Sequence, residues 1–306
     1  MNQRKSIILT NGRLDANRLE EALQKSGIDP HNHNVYGVSF LFPENCIPMI
    51  DASVRLLSLV NQLDFLGKKV TLHILDKIND TMKYLCMIRF FDFLNEGIEV
   101  LPFRPPCSTE SSPFDTSFGL VMIERIKLCQ RDKTLPSILS AIFALHSANS
   151  RALGNIGNVA YTLFAELIDN VYRHSSSKID AIAALQVNPH NSTAKVVVSD
   201  SGEGILETLR PSLMQNHPNL VYYSDTNLIV KVFQDGLSRF REGHGSGLRA
   251  CAVQAMKFGA ILDVRLARLR VHLAPGVGGY QPAMAYCADN LVEIWGTHIC
   301  FDFDMF

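Results

Sequence analysis

Residues 165–175 read AELIDNVYRHS, the most informative stretch of the chain. Glu166, Asn170 and His174 are spaced by four residues, so a helix would place them on one face, with Arg173 at its border. A carboxylate can accept a proton from water, and a carboxamide oxygen is a hard donor that suits Mg²⁺. The alternative is an ordinary solvated helix face, on which Glu and Asn are common. The stretch alone leaves both interpretations open.

A second informative segment, AKVVVSDSGEGI, occupies residues 194–205. Its apolar run predicts a buried strand that ends at Asp200, and Gly202 and Gly204 permit a sharp turn directly afterwards. A carboxylate at the edge of an apolar pocket can accept a hydrogen bond from an exocyclic amine such as that of adenine. A glycine-rich turn whose aspartate caps the next segment is the alternative.

The third segment, REGHGSGLRACAVQAM at residues 241–256, has glycines at 243, 245 and 247 ahead of a predicted helix. Backbone N–H groups and the positive end of a helix favour phosphate at such a place. The segment is not a P-loop, because no Lys-Ser/Thr pair follows at the required position. It also lacks the G-x-G-x-x-G spacing of a dinucleotide fold.

In this order, the three segments resemble the N-box and the two glycine boxes of the GHKL superfamily, which contains gyrase, heat-shock chaperone, histidine kinase and mismatch-repair ATPases. Gly296-Thr297, before the last predicted strand, resembles the Gly-Thr of these proteins. The resemblance covers residues 135–306. It implies a Bergerat ATP-binding fold, a two-layer α/β sandwich with a mixed sheet, and it implies ATP and Mg²⁺ as ligands.

The resemblance also implies roles for individual residues. Glu166 matches the general base, Asn170 the Mg²⁺ ligand that bridges the phosphates, and Asp200 the acceptor for the adenine amine, supported by Thr297. For Arg173 and His174 a phosphate-facing role competes with that of surface polar residues. It also implies that Gly202 and Gly204 form the floor of the nucleotide pocket. The phosphate lid that it implies contains Gly243, His244, Gly245, Ser246 and Gly247.

The first hundred residues alternate strand-like and helix-like segments, which predicts a small α/β domain with a largely parallel sheet. This pattern resembles a STAS domain, although no diagnostic motif accompanies it. Residues 102–115 are rich in Pro, Ser and Thr, as linkers are. We therefore predict an α/β protein with a STAS-like domain at residues 1–105, connecting elements at 106–133 and an ATP-binding domain at 134–306.

Bulk composition excludes several classes of protein. The 306 residues carry a net charge of −1, which argues against nucleic acid as a partner. The seven cysteines are scattered without a C-x-x-C pair, as in a reduced cytoplasmic protein without a zinc site. His31 and His33 lack a third ligand, so we interpret them as polar loop residues. No apolar run approaches a membrane span or a secretory signal, so we expect a cytoplasmic protein.

Three functions compete at this point. We favour a slow ATPase that acts as a nucleotide-gated switch on a protein partner. The alternatives are a protein serine/threonine kinase like the anti-sigma-factor kinases, and a module that binds ATP without turnover. His146 is the only candidate phosphoacceptor, and it lacks the expected acidic neighbour. The resemblance further implies that the chain can form homodimers.

A basic run, RLARLRVH at residues 265–272, is the last feature of note. We interpret it as an alternating strand with exposed arginines, and a contact with an acidic partner is the alternative.

Overall fold

The computed structural model describes residues 3–75, 80–106, 114–115, 119–147, 156–188, 193–239 and 246–304. Over these ranges the chain is mixed α/β, with eight α-helices and three sheets. Nowhere in these ranges does a helix combine the length and the apolar character needed to cross a membrane.

The N-terminal half contains the parallel sheet that its sequence predicts. The strands are β1 (Gln3–Ile8), β3 (Val35–Phe42), β5 (Lys69–Ile74) and β6 (Glu99–Leu101), and they lie side by side in this order. A small second sheet pairs β2 (Gly12–Leu14) with β4 (Cys46–Pro48). The helices are α1 (Ala16–Lys25), α2 (Ile50–Phe65) and α3 (Asp80–Met87). The likeness to a STAS domain stays a prediction.

The C-terminal half is built on an eight-stranded sheet. In chain order its strands are β7 (Phe114–Asp115), β8 (Gly119–Ile126), β9 (Ala181–Asn188), β10 (Thr193–Ser199), β11 (Ile261–Arg265), β12 (Arg270–Gly276), β13 (Gly279–Pro282) and β14 (His298–Asp304). Their order across the sheet is β13-β12-β11-β14-β10-β9-β8-β7. Strands β9 and β10 pair in an antiparallel arrangement.

Our expectation of a mixed sheet is wrong, because every described strand pair in this sheet is antiparallel. Strands β10 and β11 run in the same direction but do not pair with each other. The last strand, β14, lies between them and runs the opposite way. Strand β8 also falls within the range that we expected to hold only connections, residues 106–133.

Five helices cover one face of this sheet: α4 (Leu135–Ser147), α5 (Ile156–His174), α6 (Ile205–Asn216), α7 (Asp225–Asp235) and α8 (Ser246–Met256). Their apolar side chains share one core with alternate residues of the strands. In β10 these are Ala194, Val196 and Val198, as the period of two in a strand requires. Helices α6 and α7 were not predicted.

The opposite face of the sheet packs on the N-terminal half. The side chains on this face belong to the same apolar cluster as the N-terminal sheet and α2. They include Ile182, Ala184, Val197 and Cys300. Helix α2 is buried throughout residues 50–63, because it contacts β5 on one side and β9 and β10 on the other. The C-terminal half is therefore covered on both faces.

Two of the three arginines that we expected to be exposed, Arg265 and Arg270, are buried at this interface, whereas Arg268 is exposed. Arg265 has no exposed surface and Arg270 is 6% exposed. Arg265 Nε donates to Glu20 Oε1 over 2.8 Å, and Arg270 Nε donates to Asp263 Oδ2 over 2.6 Å. The prediction failed because Glu20 of α1, 245 residues away from Arg265, and the buried Asp263 of β11 neutralise these guanidinium groups.

Candidate functional site

A cavity of about 370 Å³ lies between α5, the sheet and the helices α6 to α8. It brings together nine of the predicted site residues, and its floor includes Val198 of β10 and Ile299 of β14. Gly202 does not line the cavity, and Gly243, His244 and Gly245 lie outside the described residues. The nine residues are Glu166, Asn170, Arg173, His174, Asp200, Gly204, Ser246, Gly247 and Thr297.

Asp200 follows the last residue of β10 and is only 9% exposed. Its backbone N–H donates to the Thr297 carbonyl over 3.0 Å. Its Oδ1 accepts from the Gly202 N–H over 2.7 Å. Burial raises the pKa of Asp200 to about 6, and the bond from Gly202 opposes this shift. The site therefore contains a buried hydrogen-bond acceptor that is ionised at neutral pH.

Two glycines allow three chain segments to meet around Asp200. A Cβ atom on Gly202 would lie 1.7 Å from the carbonyl oxygen of Ser175, which directly follows α5. Gly296 has φ +91°, and a Cβ there would lie 2.0 Å from the Asp200 carbonyl oxygen. Only glycine fits either position, so these residues serve the contact between the end of α5, the Asp200 turn and the segment before β14.

The first turn of α8 lies directly on Glu166. A Cβ atom added to Gly247 would come within 2.2 Å of Glu166 Oε2. The first N–H groups of a helix have no partner within that helix and favour anions. Ser246 and Gly247 thus place anion-binding backbone next to a carboxylate that can accept a proton.

Asn170 lies one helical turn from Glu166 and one from His174. Its Nδ2 atom is buried and has no hydrogen-bond partner among the described residues. A buried donor without a partner is costly, so a ligand in the cavity would satisfy it or, with the amide turned over, bind to Oδ1. The described residues contain no group of three or more His, Cys, Asp or Glu side chains that could hold a metal. A Mg²⁺ ion here would depend on Asn170 and on oxygens of the ligand.

Basic side chains line another part of the cavity. Arg173 Nε pairs with Asp169 Oδ2 at 2.5 Å, and Arg131 binds the same carboxylate. Arg239 also lines the cavity. The pKa of His174 is lowered mainly by burial, with smaller effects of Arg239 and Arg173. His174 is therefore neutral at pH 7.

Sequence reasoning missed part of the wall. Leu209 of α6 and Val232 of α7 contribute to it, as do Ser238 and Arg239 after α7. The apolar spacing of Leu206, Leu209 and Leu213 indicates α6. No motif pointed to Ser238 or Arg239, because only the fold brings the segment after α7 to the cavity.

Comparison with protein-family models, curated proteins and solved structures gave no match to this chain. The GHKL resemblance rests on the motifs quoted above.

Proposed function

We propose that the chain binds ATP with Mg²⁺ in this cavity and hydrolyses it slowly, so that the nucleotide state controls a contact with a protein partner. The observation that carries the proposal is that Asp200 and Asn170 line the same cavity. One supplies a buried acceptor for a base, and the other a polar amide for a metal. Residues 30 positions apart in sequence thus supply the two functions that a metal–nucleotide complex needs.

The cavity lining extends along α5 from Glu166 to Ser175, which suits an elongated ligand. Glu166 of α5 contacts Gly247 at the start of α8. Ser175, directly after α5, contacts Gly202. Glu166 and Ser175 are nine positions apart, so at 1.5 Å per helical residue the two contacts lie about 14 Å apart along the helix axis. A nucleotide would place its base near Asp200 and its phosphates near the first turn of α8.

Adenine suits the Asp200 end better than guanine does. The adenine amine can donate to an ionised carboxylate, whereas guanine presents a carbonyl oxygen at the corresponding position. Two acceptors would then face each other in a buried place, at a substantial cost in binding free energy. We therefore expect ATP to bind and GTP to bind far more weakly.

Hydrolysis would be assisted from the other end of the cavity. Water adds to the terminal phosphorus, the bond to the leaving ADP oxygen breaks, and Glu166 accepts the proton of the attacking water. The N–H groups of the first turn of α8, together with Arg239, stabilise negative charge on the phosphates. Bound Mg²⁺ would supply further neutralisation, with Asn170 as its protein ligand. We expect slow turnover, because the charge of Arg173 is already neutralised by Asp169 and contributes less to stabilising the phosphates.

The proposal is tested by incubating the purified chain with γ-labelled ATP and Mg²⁺ and following the label. Free labelled phosphate that disappears in Glu166→Gln supports the ATPase. Label transferred to a protein indicates the kinase alternative. Calorimetry with ATP and GTP is run in parallel, because ATP binding without any phosphate release indicates a binding module. If ATP does not bind, or binds no better than GTP, the nucleotide assignment is wrong.

A further inference from the structure

A glutamine of the N-terminal half reaches the back of the candidate site. Gln62 lies on α2 and is fully buried. Its Nε2 donates to Ser201 Oγ over 2.9 Å and to the carbonyl oxygen of Trp295 over 3.1 Å. Its Oε1 accepts from the Trp295 N–H over 2.9 Å. One side chain thus makes three hydrogen bonds to the C-terminal half.

These bonds end on the two segments that carry Asp200 and Thr297, where the base of a nucleotide would lie. Ser201 directly follows Asp200, and Trp295 comes two residues before Thr297. The backbone of the two segments is joined by the bond from Asp200 N–H to Thr297. Gln62 therefore holds both segments from the face opposite the cavity.

A second contact from the same helix strengthens this arrangement. Ser58 lies one turn before Gln62, and its Oγ is 2.7 Å from Ser199 Oγ at the end of β10. Ser199 Oγ also bonds to His298 Nδ1 at the start of β14. Ser58 thus links α2 to the end of β10, next to Asp200. Through Ser199 it is also linked to the start of β14, next to Thr297.

We propose that Gln62 is a positioning residue of the nucleotide site: by fixing Ser201 and Trp295 it sets the spacing of Asp200 and Thr297, and α2 becomes part of the base pocket. The affinity argument rests on the function proposed above. Without Gln62 the two segments would sample several spacings, and the apparent affinity would fall with the fraction that is competent to bind. By linkage, nucleotide binding would in turn tighten the contact between the halves.

The chain carries its own reporter for this contact. Trp295 is its single tryptophan, and its ring centroid lies 5.0 Å from that of His31. Fluorescence of Trp295 therefore reports on the segment that Gln62 holds, without any nucleotide. Hydrogen exchange of the Trp295 amide reports on the same segment, because Gln62 Oε1 is its acceptor.

The test compares Gln62→Met with the matched control Asn61→Leu. Both remove a buried amide from the same turn of α2. Among the described residues, Asn61 bonds within the N-terminal half alone. Its Nδ2 donates to the Phe93 carbonyl over 2.9 Å, and its Oδ1 accepts from the Asn95 N–H over 3.0 Å. Loss of stability alone would thus affect both variants, whereas loss of positioning would affect only Gln62→Met.

We expect Gln62→Met to shift Trp295 emission, to speed exchange of its amide and to weaken ATP binding about tenfold or more, as loss of its three hydrogen bonds implies. Asn61→Leu should leave these three readouts unchanged. If Gln62→Met does not fold, Ser201→Ala removes one of the bonds with α2 intact, and a smaller change in the same direction is expected.

The outcomes separate the two proposals. Unchanged emission and exchange in the Gln62 or Ser201 variant would overturn the positioning role, whatever the protein binds. Changed emission and exchange with unchanged ATP affinity would overturn it as well. If emission and exchange change but the wild-type protein binds no ATP, the proposed function is overturned and the positioning of the two segments is supported.

Discussion

Arg55 of α2 donates to Asp263 of β11 over 2.9 Å, and both side chains are buried between the two halves of the chain. Arg55 also binds Glu20 of α1 at 3.0 Å, while Arg270 binds Asp263 from the sheet. Burial alone would raise the pKa of Asp263, but Arg270, His272 and Arg55 together hold it well below its usual range. The interface between the halves is therefore ionic as well as apolar.

We expect Arg55→Met to lower the free energy of unfolding by about 3–5 kcal/mol, because it leaves buried carboxylates with too little positive charge. Arg268→Met is the matched control: Arg268 is half-exposed, pairs with Asp29 and Glu293, and should cost less than about 1 kcal/mol. Urea unfolding at pH 7 measures both. Equal losses in the two variants would show that the buried network adds nothing beyond a surface pair.

Asp200→Asn should abolish ATP binding and stabilise the free protein at neutral pH. The folded pKa of about 6 lies above the ordinary value of 3.8, so the stability that Asp200 contributes is present below pH 4 and is lost as the pH rises through 6. The loss amounts to about 3 kcal/mol at 1.36 kcal/mol per pKa unit. Asparagine does not ionise, and its Oδ1 can still accept from Gly202.

Thermal melts at pH 4.5 and pH 7.5 check this prediction, together with calorimetry. The gain in Tm of Asp200→Asn over wild type should be clearly larger at pH 7.5 than at pH 4.5. An equal gain at both values, or none, would mean that Asp200 carries no buried-charge penalty. Retained ATP affinity would remove Asp200 from base recognition.

Gly247→Ala should impair turnover by displacing the Glu166 carboxylate, while the fold stays intact. The added methyl would lie 2.2 Å from Glu166 Oε2, so the carboxylate would have to move, while alanine is otherwise favourable in a helix. We expect phosphate release to fall about 10²-fold or more, as in loss of a general base, with ATP still bound. The control is Val253→Ala, a half-exposed position on the same helix, which should keep full activity. Unchanged turnover in Gly247→Ala would contradict the role of Glu166.

The sequence predicted those parts of the molecule that depend on neighbouring residues. The four-residue spacing of Glu166 and Asn170 places them on one helical face, and the turn after β10 follows from Gly202 and Gly204. The parallel N-terminal sheet likewise follows from alternating strands and helices. In each case, contacts within about thirty residues determine the structure.

The packing of the two halves could not be predicted in this way. Gln62 and Ser201 are 139 residues apart, and Glu20 and Arg265 are 245 apart. No local pattern distinguishes a buried, paired arginine from an exposed one, which is why the basic run was misinterpreted. Helix α2 likewise contacts strands of both halves, so it is buried on both sides.

Asn170→Ala tests the metal role and separates it from a structural one. The Nδ2 atom is buried without a partner among the described residues, so its removal should leave the free energy of unfolding nearly unchanged or slightly raised. ATP affinity should no longer depend on Mg²⁺, whereas wild-type affinity should fall when the metal is chelated. Calorimetry with Mg²⁺ and with a chelator, alongside thermal melts, measures both effects. An Asn170→Ala protein that loses stability but keeps the full Mg²⁺ effect would show that this amide serves the fold, and the metal would then need another ligand in the cavity.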